Sequence, residues 1–118
     1  MTQALGSFLT GLDGFSERIP LSELVGRIED LTIDWDDVRE FVVFARDRYR
    51  RNLIHSGAAY HALILCWRSG QRSPIHDHRG SSCAVRVLEG LATESQFERT
   101  ENGLIYPTFS RELPAGSV

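Results

Sequence analysis

The chain has 118 residues, of which 42% are hydrophobic and 25% charged, a balance typical of one small globular domain. Its formal net charge of -3 at pH 7 argues against electrostatic binding to nucleic acid or to an anionic membrane surface. No stretch reaches the roughly 18 apolar residues that a membrane span needs, and two cysteines are too few for a disulfide framework. We therefore expect a cytoplasmic protein that does not bind a membrane.

Two amphipathic helices are predicted within residues 20–52, after an N-terminal segment over residues 1–19. Apolar residues fall at helical spacing over residues 21–31, and Pro20 suits the first turn, where its missing N–H costs nothing. The same apolar spacing, with two acidic residues in the first turn, predicts a second helix over residues 34–50.

The periodicity changes in residues 58–118, which predict a small β-barrel. The stretch YHALILCW (60–67) is apolar on both faces, as is typical of a buried strand. Strands are also predicted over CAVRVLEG (83–90) and LATESQFE (91–98), and the Asn-Gly pair of ENG (101–103) predicts a tight hairpin before LIYPTF. Helices followed by short strands predict an α+β fold that is mainly β, with a jelly-roll barrel.

The last residues, RELPAGSV, contain the turn residues Pro114 and Gly116. They follow only about five or six predicted strands, whereas a jelly roll needs about eight to close its edges. We therefore expect a single domain over residues 1–118 with an incomplete barrel, in a fragment or truncated relative of a longer protein.

Two histidines stand one residue apart in SPIHDHRGSSC (73–83). On a strand, residues i and i+2 point to the same face, so His76 and His78 could both turn their rings inward. Two imidazole nitrogens suit iron, zinc, copper or nickel, but a tight site needs a third ligand from another strand. The alternative is a pair of surface histidines at a strand end.

The residues around the pair reproduce the spacing of the first cupin motif, G-x5-H-x-H-x4-E-x6-G. Gly70, His76, His78, Cys83 and Gly90 occupy its defined positions, with cysteine in place of glutamate. The replacement removes an anionic ligand. A metal held by neutral histidines would keep its full double charge for an anionic substrate.

Three stretches together resemble the cysteine dioxygenase family: YRRNLIHSG (49–57), ALILCW (62–67) and SPIHDHRGSSC (73–83). The resemblance runs from about Pro20 to the end of the chain. It implies a cupin fold, a mononuclear non-haem Fe(II) cofactor, and oxidation of L-cysteine by O2 to cysteine sulfinate. A small-molecule thiol and O2 would then be the partners of the protein.

The same resemblance implies roles for individual residues. His76 and His78 would be iron ligands. Arg51 would bind the substrate carboxylate with support from Tyr49, and Cys83 would be the cysteine that members of the family can cross-link to a tyrosine. The family has a third histidine ligand on a later strand, for which this chain has no match.

The two other histidines do not fit as that ligand. His55 is predicted to lie in the Ser-Gly loop and His61 at a core-strand position, and lone histidines of this kind are usually structural or solvent-exposed. Tyr106, the only later tyrosine, lies in the predicted hairpin and does not suit the cross-link.

Three residues are predicted to lie in the core. Cys66 has apolar neighbours on both sides and is expected to be a small buried hydrophobe. Trp35 and Trp67 are most simply core residues.

The substrate and the activity of the chain have alternatives. Relatives that use 3-mercaptopropionate tend to carry glutamine at the carboxylate position, so Arg51 favours cysteine. A chain that ended at Val118 would be a non-catalytic cupin-like binding module, because its third histidine is missing. With two of three ligands, the 118-residue chain is expected to hold iron weakly and to show little or no turnover.

Overall fold

The computed structural model describes residues 3–118, which form two compact units, one ending at Cys83 and one beginning at Ala84. The first unit contains three helices, a 3-10 turn and two strands: α1 (Gln3–Asp13), α2 (Leu21–Asp30), α3 (Trp35–Val38), the turn Arg39–Phe41, β1 (Arg50–Ser56) and β2 (His61–Cys66). The second unit contains β3 (Leu91–Arg99) and β4 (Ile105–Pro114). Helices followed by antiparallel strands confirm the predicted α+β class.

Helix α1 lies in the segment to which the sequence analysis assigned no element. Leu5, Leu9 and Leu12 repeat at helical spacing and are all buried. Gly6 and Gly11 weaken the local helical signal, because glycine inside a helix costs about 1 kcal/mol relative to alanine. Burial of the leucine face offsets that cost.

Helix α2 begins where the sequence predicted it. Pro20 is its N-cap residue, and its carbonyl accepts from the backbone N–H of Glu23 and of Leu24 at 3.1 Å each. Leu31, the last apolar residue of the predicted stretch, is the C-cap.

The second predicted helix, over residues 34–50, is wrong. Asp34 does cap a helix, since its side chain accepts from the N–H of Asp36, but α3 has only four residues before the 3-10 turn. The carbonyls of Phe41 and Val43, which a longer helix would use internally, accept instead from the side-chain amide of Asn52 at 2.8 and 3.1 Å. A long-range contact therefore replaces the helical bonds.

The core prediction for Trp35 is also wrong. Its side chain is 41% exposed, whereas Asp37 and Val38 on the same short helix are buried. Because the predicted helix does not continue, the face that the pattern placed inward is not formed.

Strands β1 and β2 pair antiparallel, with Arg50 opposite Cys66 and a register shift between Leu53 and His55. Strand β2 confirms the strand predicted over residues 60–67, although most of its residues are half-buried rather than fully buried. Cys66 is buried, as predicted.

The sequence pattern does not predict strand β1, and it places Arg50, the first residue of that strand, in a helix. His55 consequently lies on a strand and not in a loop, and it is exposed. His61 begins β2 and is exposed, so both histidines are solvent-exposed, in agreement with the prediction. The sequence RRNLIHS lacks the apolar alternation that identifies strands. The strand is therefore recognised only by its pairing with β2.

The structure assigns no strand to residues 67–90, so the strand predicted over 83–90 is wrong. Gly70 has a φ of +84° and turns the chain after β2. Residue Val87 exchanges backbone hydrogen bonds with Gly116 and Ser117 at 2.7 and 2.9 Å, which is too short a ladder for a strand.

Strands β3 and β4 confirm the predicted hairpin. Leu91 pairs with Pro114 and Arg99 with Ile105, and Gly103 turns the chain with a φ of +87°. Residues 3–118 thus contain four strands in two separate two-stranded sheets, fewer than the about five or six that the sequence predicts for a barrel. No helix in this part of the chain is both long and apolar enough to cross a membrane.

Candidate active site

A cavity of about 590 Å³ lies in the first unit, where β1 begins. It is lined by four arginines, one tyrosine and one proline: Arg48, Tyr49, Arg50, Arg51, Arg72 and Pro74. Its volume is within the range of small-molecule sites, roughly 300–1,000 Å³. The structure thus brings together Arg51 and Tyr49, the two residues singled out for substrate binding.

Arg51 is the second residue of β1 and pairs with Leu65 of β2. Its neighbour Asn52 donates to the carbonyls of Phe41 and Val43 and lies 3.8 Å from the sulfur of Cys66. Because successive side chains on a strand point to opposite faces, Asn52 can hold the strand from the face opposite Arg51. The exposed guanidinium of Arg51 is left available to a ligand.

Tyr49 is held by an aromatic contact. Its ring stacks on that of Trp67, with centroids 5.3 Å apart and planes 8° from parallel. Trp67, predicted to be a core residue, is 39% exposed and instead supports this wall of the cavity. The strand register indicates the contact, since Arg50 lies opposite Cys66 and the next pair outward is Tyr49 and Trp67.

The rings of His76 and His78 lie close together, with centroids 5.2 Å apart and planes at 84°. They lie in an exposed loop, so the prediction that a strand directs them to one face is wrong. Arg79 and Gly80 have φ of 50° and 81°, and the N–H of Ser81 donates to the carbonyl of His78 at 2.9 Å. This left-handed turn ends any extended segment directly after the pair.

The ring of His76 has one defined hydrogen bond, between its Nδ1 and the carbonyl oxygen of Pro74 at 2.6 Å. A carbonyl can only accept, so Nδ1 carries the proton and Nε2 of the neutral ring has a free lone pair. Metal-binding histidines typically use one nitrogen in this way while the other binds the ion. Since Pro74 also lines the cavity, it connects the arginine cluster to the histidine pair.

The donor chemistry of the pair fits part of a first-row metal site. Two neutral imidazoles supply nitrogen ligands of the kind that iron accepts. Within residues 3–118, however, no group of three or more His, Cys, Asp or Glu side chains could hold a metal. A tight site therefore needs a further ligand beyond His76 and His78.

Cys66 and Cys83 are not joined by a disulfide. Cys66 is buried and Cys83 is exposed. In the second unit, the Tyr106 hydroxyl donates to Glu98 at 3.1 Å, and this bond to a carboxylate raises the pKa of Tyr106. The cross-link role of Cys83 stays a prediction.

A polar cluster that the sequence analysis missed joins α1 to the β1–β2 hairpin. The Tyr60 hydroxyl donates to Oδ1 of Asp13 at 2.7 Å, and Nε2 of His55 lies 3.6 Å from the same oxygen. Burial, together with the bond to Asp13 and its negative charge, raises the pKa of Tyr60 to about 12. His55 thus contacts α1, and no local pattern in the sequence links positions so far apart.

Comparison with known proteins gives one family, described as cysteine dioxygenase type I, whose sequence model matches residues 17–108. Cysteine dioxygenase type 1 of Danio rerio is 34% identical over 84 residues, which cover 70% of this chain and 42% of the relative. The Homo sapiens protein of the same name is 32% identical over 82 residues, covering 69% and 41%. The Bos taurus protein is 40% identical over 58 residues, covering 48% and 29%.

The chain therefore spans less than half the length of these relatives. No solved structure matches it.

Proposed function

Because the chain belongs to the cysteine dioxygenase type I family, we propose that it carries the substrate cavity and two metal ligands of a thiol dioxygenase that converts L-cysteine and O2 to cysteine sulfinate. One observation carries the proposal: Pro74 lines the cavity of Arg51 and Tyr49 and also accepts a hydrogen bond from His76. The residues proposed for the substrate and for the metal are thereby neighbours in one unit.

His76 and His78 would hold a mononuclear non-haem iron, with a further ligand from elsewhere. When bound, Fe(II) supplies the redox chemistry that adds both atoms of dioxygen to the substrate sulfur. Both histidines are neutral ligands, and Cys83 occupies the glutamate position of the cupin spacing. No carboxylate at that position would therefore compete with an anionic substrate for the charge of the ion.

Arg51 would orient the substrate. A planar guanidinium holds a carboxylate through two parallel hydrogen bonds, which fixes both the position and the rotation of the bound group. Tyr49, stacked on Trp67, would present its hydroxyl to the same carboxylate from a rigid wall. The thiol end of the substrate would then face the histidine pair beyond Pro74.

The finer fold assignment belongs to the same proposal. We place residues 58–118 in an incomplete cupin barrel of a single domain, in a cytoplasmic protein. Membership of the family supports the cupin fold. The two antiparallel hairpins supply strands that such a barrel could use.

A second candidate is a non-catalytic cupin-like binding module. It is favoured by the lack of a third metal-binding side chain near the histidine pair within residues 3–118. Such a module would bind a carboxylate at Arg51 without consuming oxygen.

Oxygen uptake separates the candidates. The chain, expressed with any polypeptide that its gene encodes beyond Val118 and loaded with Fe(II), is expected to consume O2 with cysteine faster than with 3-mercaptopropionate. Replacing Arg51 by Gln should lower kcat/KM for cysteine by about tenfold or more, since a charged hydrogen bond to the carboxylate is lost. Replacing Arg46, which does not line the cavity, by Gln is the matched control.

A strong preference for 3-mercaptopropionate would contradict the cysteine assignment. Iron-loaded protein that binds the thiol but consumes no oxygen would instead support the binding module.

A further inference from the structure

The arginines of the cavity have more positive charge than one carboxylate requires. Among residues 3–118, no acidic side chain lies within ion-pair distance of Arg50, Arg51 or Arg72, and Nε of Arg48 lies 3.9 Å from the Asp47 carboxylate. This excess occurs in a chain whose formal net charge is -3. Unpaired guanidiniums around a cavity favour an anionic ligand.

Two of the four arginines are poorly suited to act beside Arg51. Arg50 also lines the cavity, but it precedes Arg51 on β1, so the two side chains leave the strand in opposite directions. Arg48 shares its charge with Asp47. Arg72, which comes from the loop after β2, is the remaining guanidinium that can face the same ligand as Arg51.

The loop that carries Arg72 is anchored. The neighbouring side chain of Gln71 donates from Nε2 to the carbonyl of Ala45 at 2.8 Å and accepts from the N–H of Arg68 at 2.7 Å. These bonds tie the loop to the segment that leads into β1. A ligand therefore meets Arg72 in a loop that is already held in place, which lowers the entropy cost of binding.

We propose that the cavity is a two-anion site in which Arg51 binds a carboxylate and Arg72 binds a second anionic group. The ligand is a small organic molecule with two anionic groups, either a thiol with two carboxylates or the carboxylate-sulfinate product of the proposed oxidation, which also carries an ammonium group. This inference rests on the proposed function for its first subsite.

The size of the cavity limits the ligand. A volume of about 590 Å³ accommodates a small molecule. The four arginines of the cavity form one local group in a chain of formal net charge -3, whereas nucleic-acid binding needs a basic stripe or face.

Calorimetry on the 118-residue chain, with chelator present and ionic strength fixed, tests the site without turnover. The probes are mercaptosuccinate and cysteine sulfinate, which each carry two anionic groups, and 3-mercaptopropionate, which carries one. At least one of the two-anion probes is expected to bind about tenfold more tightly than 3-mercaptopropionate, because a second charged hydrogen bond forms. The tighter of the two identifies the source of the ligand.

Three variants locate the subsites. Arg72→Gln is expected to weaken the binding of the two-anion probes about tenfold while changing that of 3-mercaptopropionate by less than about threefold. Arg51→Gln should weaken both classes of probe, and Arg46→Gln, outside the cavity, should change neither. Circular dichroism and thermal melting establish that each variant remains folded.

The two-anion site is wrong if the two-anion probes bind no more tightly than 3-mercaptopropionate, if no probe binds, or if Arg72→Gln and Arg46→Gln have equal effects. When 3-mercaptopropionate still binds through Arg51 but the two-anion probes have no advantage, only this inference fails and the proposed thiol dioxygenase stands. If the two-anion probes bind but the iron-loaded protein consumes no oxygen, the proposed thiol dioxygenase fails and the two-anion site stands.

Discussion

The two hairpins of this protein are held in different ways. The β1–β2 hairpin is bonded to other parts of its unit, through Asn52 to the carbonyls of residues 41 and 43 and through Tyr60 to Asp13 of α1. The longer β3–β4 hairpin has side-chain bonds between its own two strands, such as Ser95 with Ser110 at 3.1 Å. Cross-strand pairs set the register of a hairpin, but they do not anchor it.

The side chains of the two hairpins also differ in solvent exposure, and the more exposed ones belong to β3–β4. Leu91 at one end of the β3–β4 hairpin is 62% exposed and Phe109 of β4 is 50% exposed. Cys66, at the end of β2, is 4% exposed. Since an isolated two-stranded hairpin is marginally stable in water, we expect β3–β4 to open more readily than β1–β2.

This contrast explains where a binding site can be built. Ligand-binding groups must be held by other bonds if they are to meet a ligand in one geometry. Arg51 follows the anchored start of β1, and all the other candidate site residues also belong to the first unit. The contrast can be tested by changing the anchors one at a time.

The largest effect is expected at Asn52. Replacing it by Leu leaves the Phe41 and Val43 carbonyls without their amide donor and should destabilise the first unit by about 2–4 kcal/mol. Urea unfolding followed by tryptophan fluorescence measures this, because Trp35 and Trp67 both lie in the first unit.

The matched control is Ser95→Ala in the exposed cross-strand pair of β3–β4, which should cost less than about 0.5 kcal/mol. Equal losses at the two positions would contradict the difference in anchoring.

An intermediate effect is expected at the hairpin turns. A Cβ at Gly57 would meet the Tyr60 ring and lie 2.9 Å from Oδ1 of Asp13, so Gly57→Ala should cost about 1–3 kcal/mol through overpacking. Gly103 has open space around it and a φ of +87°, so Gly103→Ala should cost only the backbone strain, about 1–2 kcal/mol.

The two causes are separable by a second substitution. Asparagine tolerates the left-handed conformation and should recover part of the loss at Gly103 but none at Gly57. Recovery at both positions, measured by thermal unfolding, would show that packing is not the cause at Gly57.

The smallest effect is expected in how the stability of the first unit depends on pH in the alkaline range. The pKa of Tyr60 is about 12 in the folded protein, against about 10 in an unfolded chain. As pH rises, Tyr60 ionises in the unfolded state before it ionises in the folded state. Its contribution to the stability of the first unit is therefore complete below about pH 10 and is lost between about pH 10 and 12. Tyr60→Phe should flatten the dependence of the urea midpoint on pH in that window.

Absorbance at 295 nm gives an independent reading, since Tyr60→Phe should remove a tyrosine that ionises at about pH 12. Tyr106, in the other unit, also has a raised pKa through Glu98. Tyr106→Phe is therefore the control, and an equal flattening of the first unit's pH dependence by that variant would contradict the role of Tyr60.

Local sequence pattern predicts the elements that local interactions determine. Helix α2, strand β2 and the β3–β4 hairpin follow from apolar spacing and an Asn-Gly turn. The helix predicted over residues 34–50 fails because Asn52, from a later strand, takes two of its carbonyls. No local sequence pattern shows that a residue of a later strand binds these carbonyls.

The site residues divide in the same way. His76, His78, Arg51 and Tyr49 are found through their motif spacing and family resemblance, but the positive φ of Arg79 shows that the histidines leave the strand expected from alternation. Arg72 has no motif of its own. Its place in the cavity depends on bonds that Gln71 makes to a segment about 26 residues earlier, which only the fold reveals.

The central claim is that His76 and His78 form a metal-binding pair beside the Arg51 cavity. Anaerobic Fe(II) titration of the 118-residue chain tests it most directly. The account predicts weak binding at one site that is lost in His76→Ala and in His78→Ala and retained in His55→Ala and His61→Ala. Iron that survives desalting at about one per chain, and that His55→Ala or His61→Ala removes while the pair variants keep it, would contradict the account.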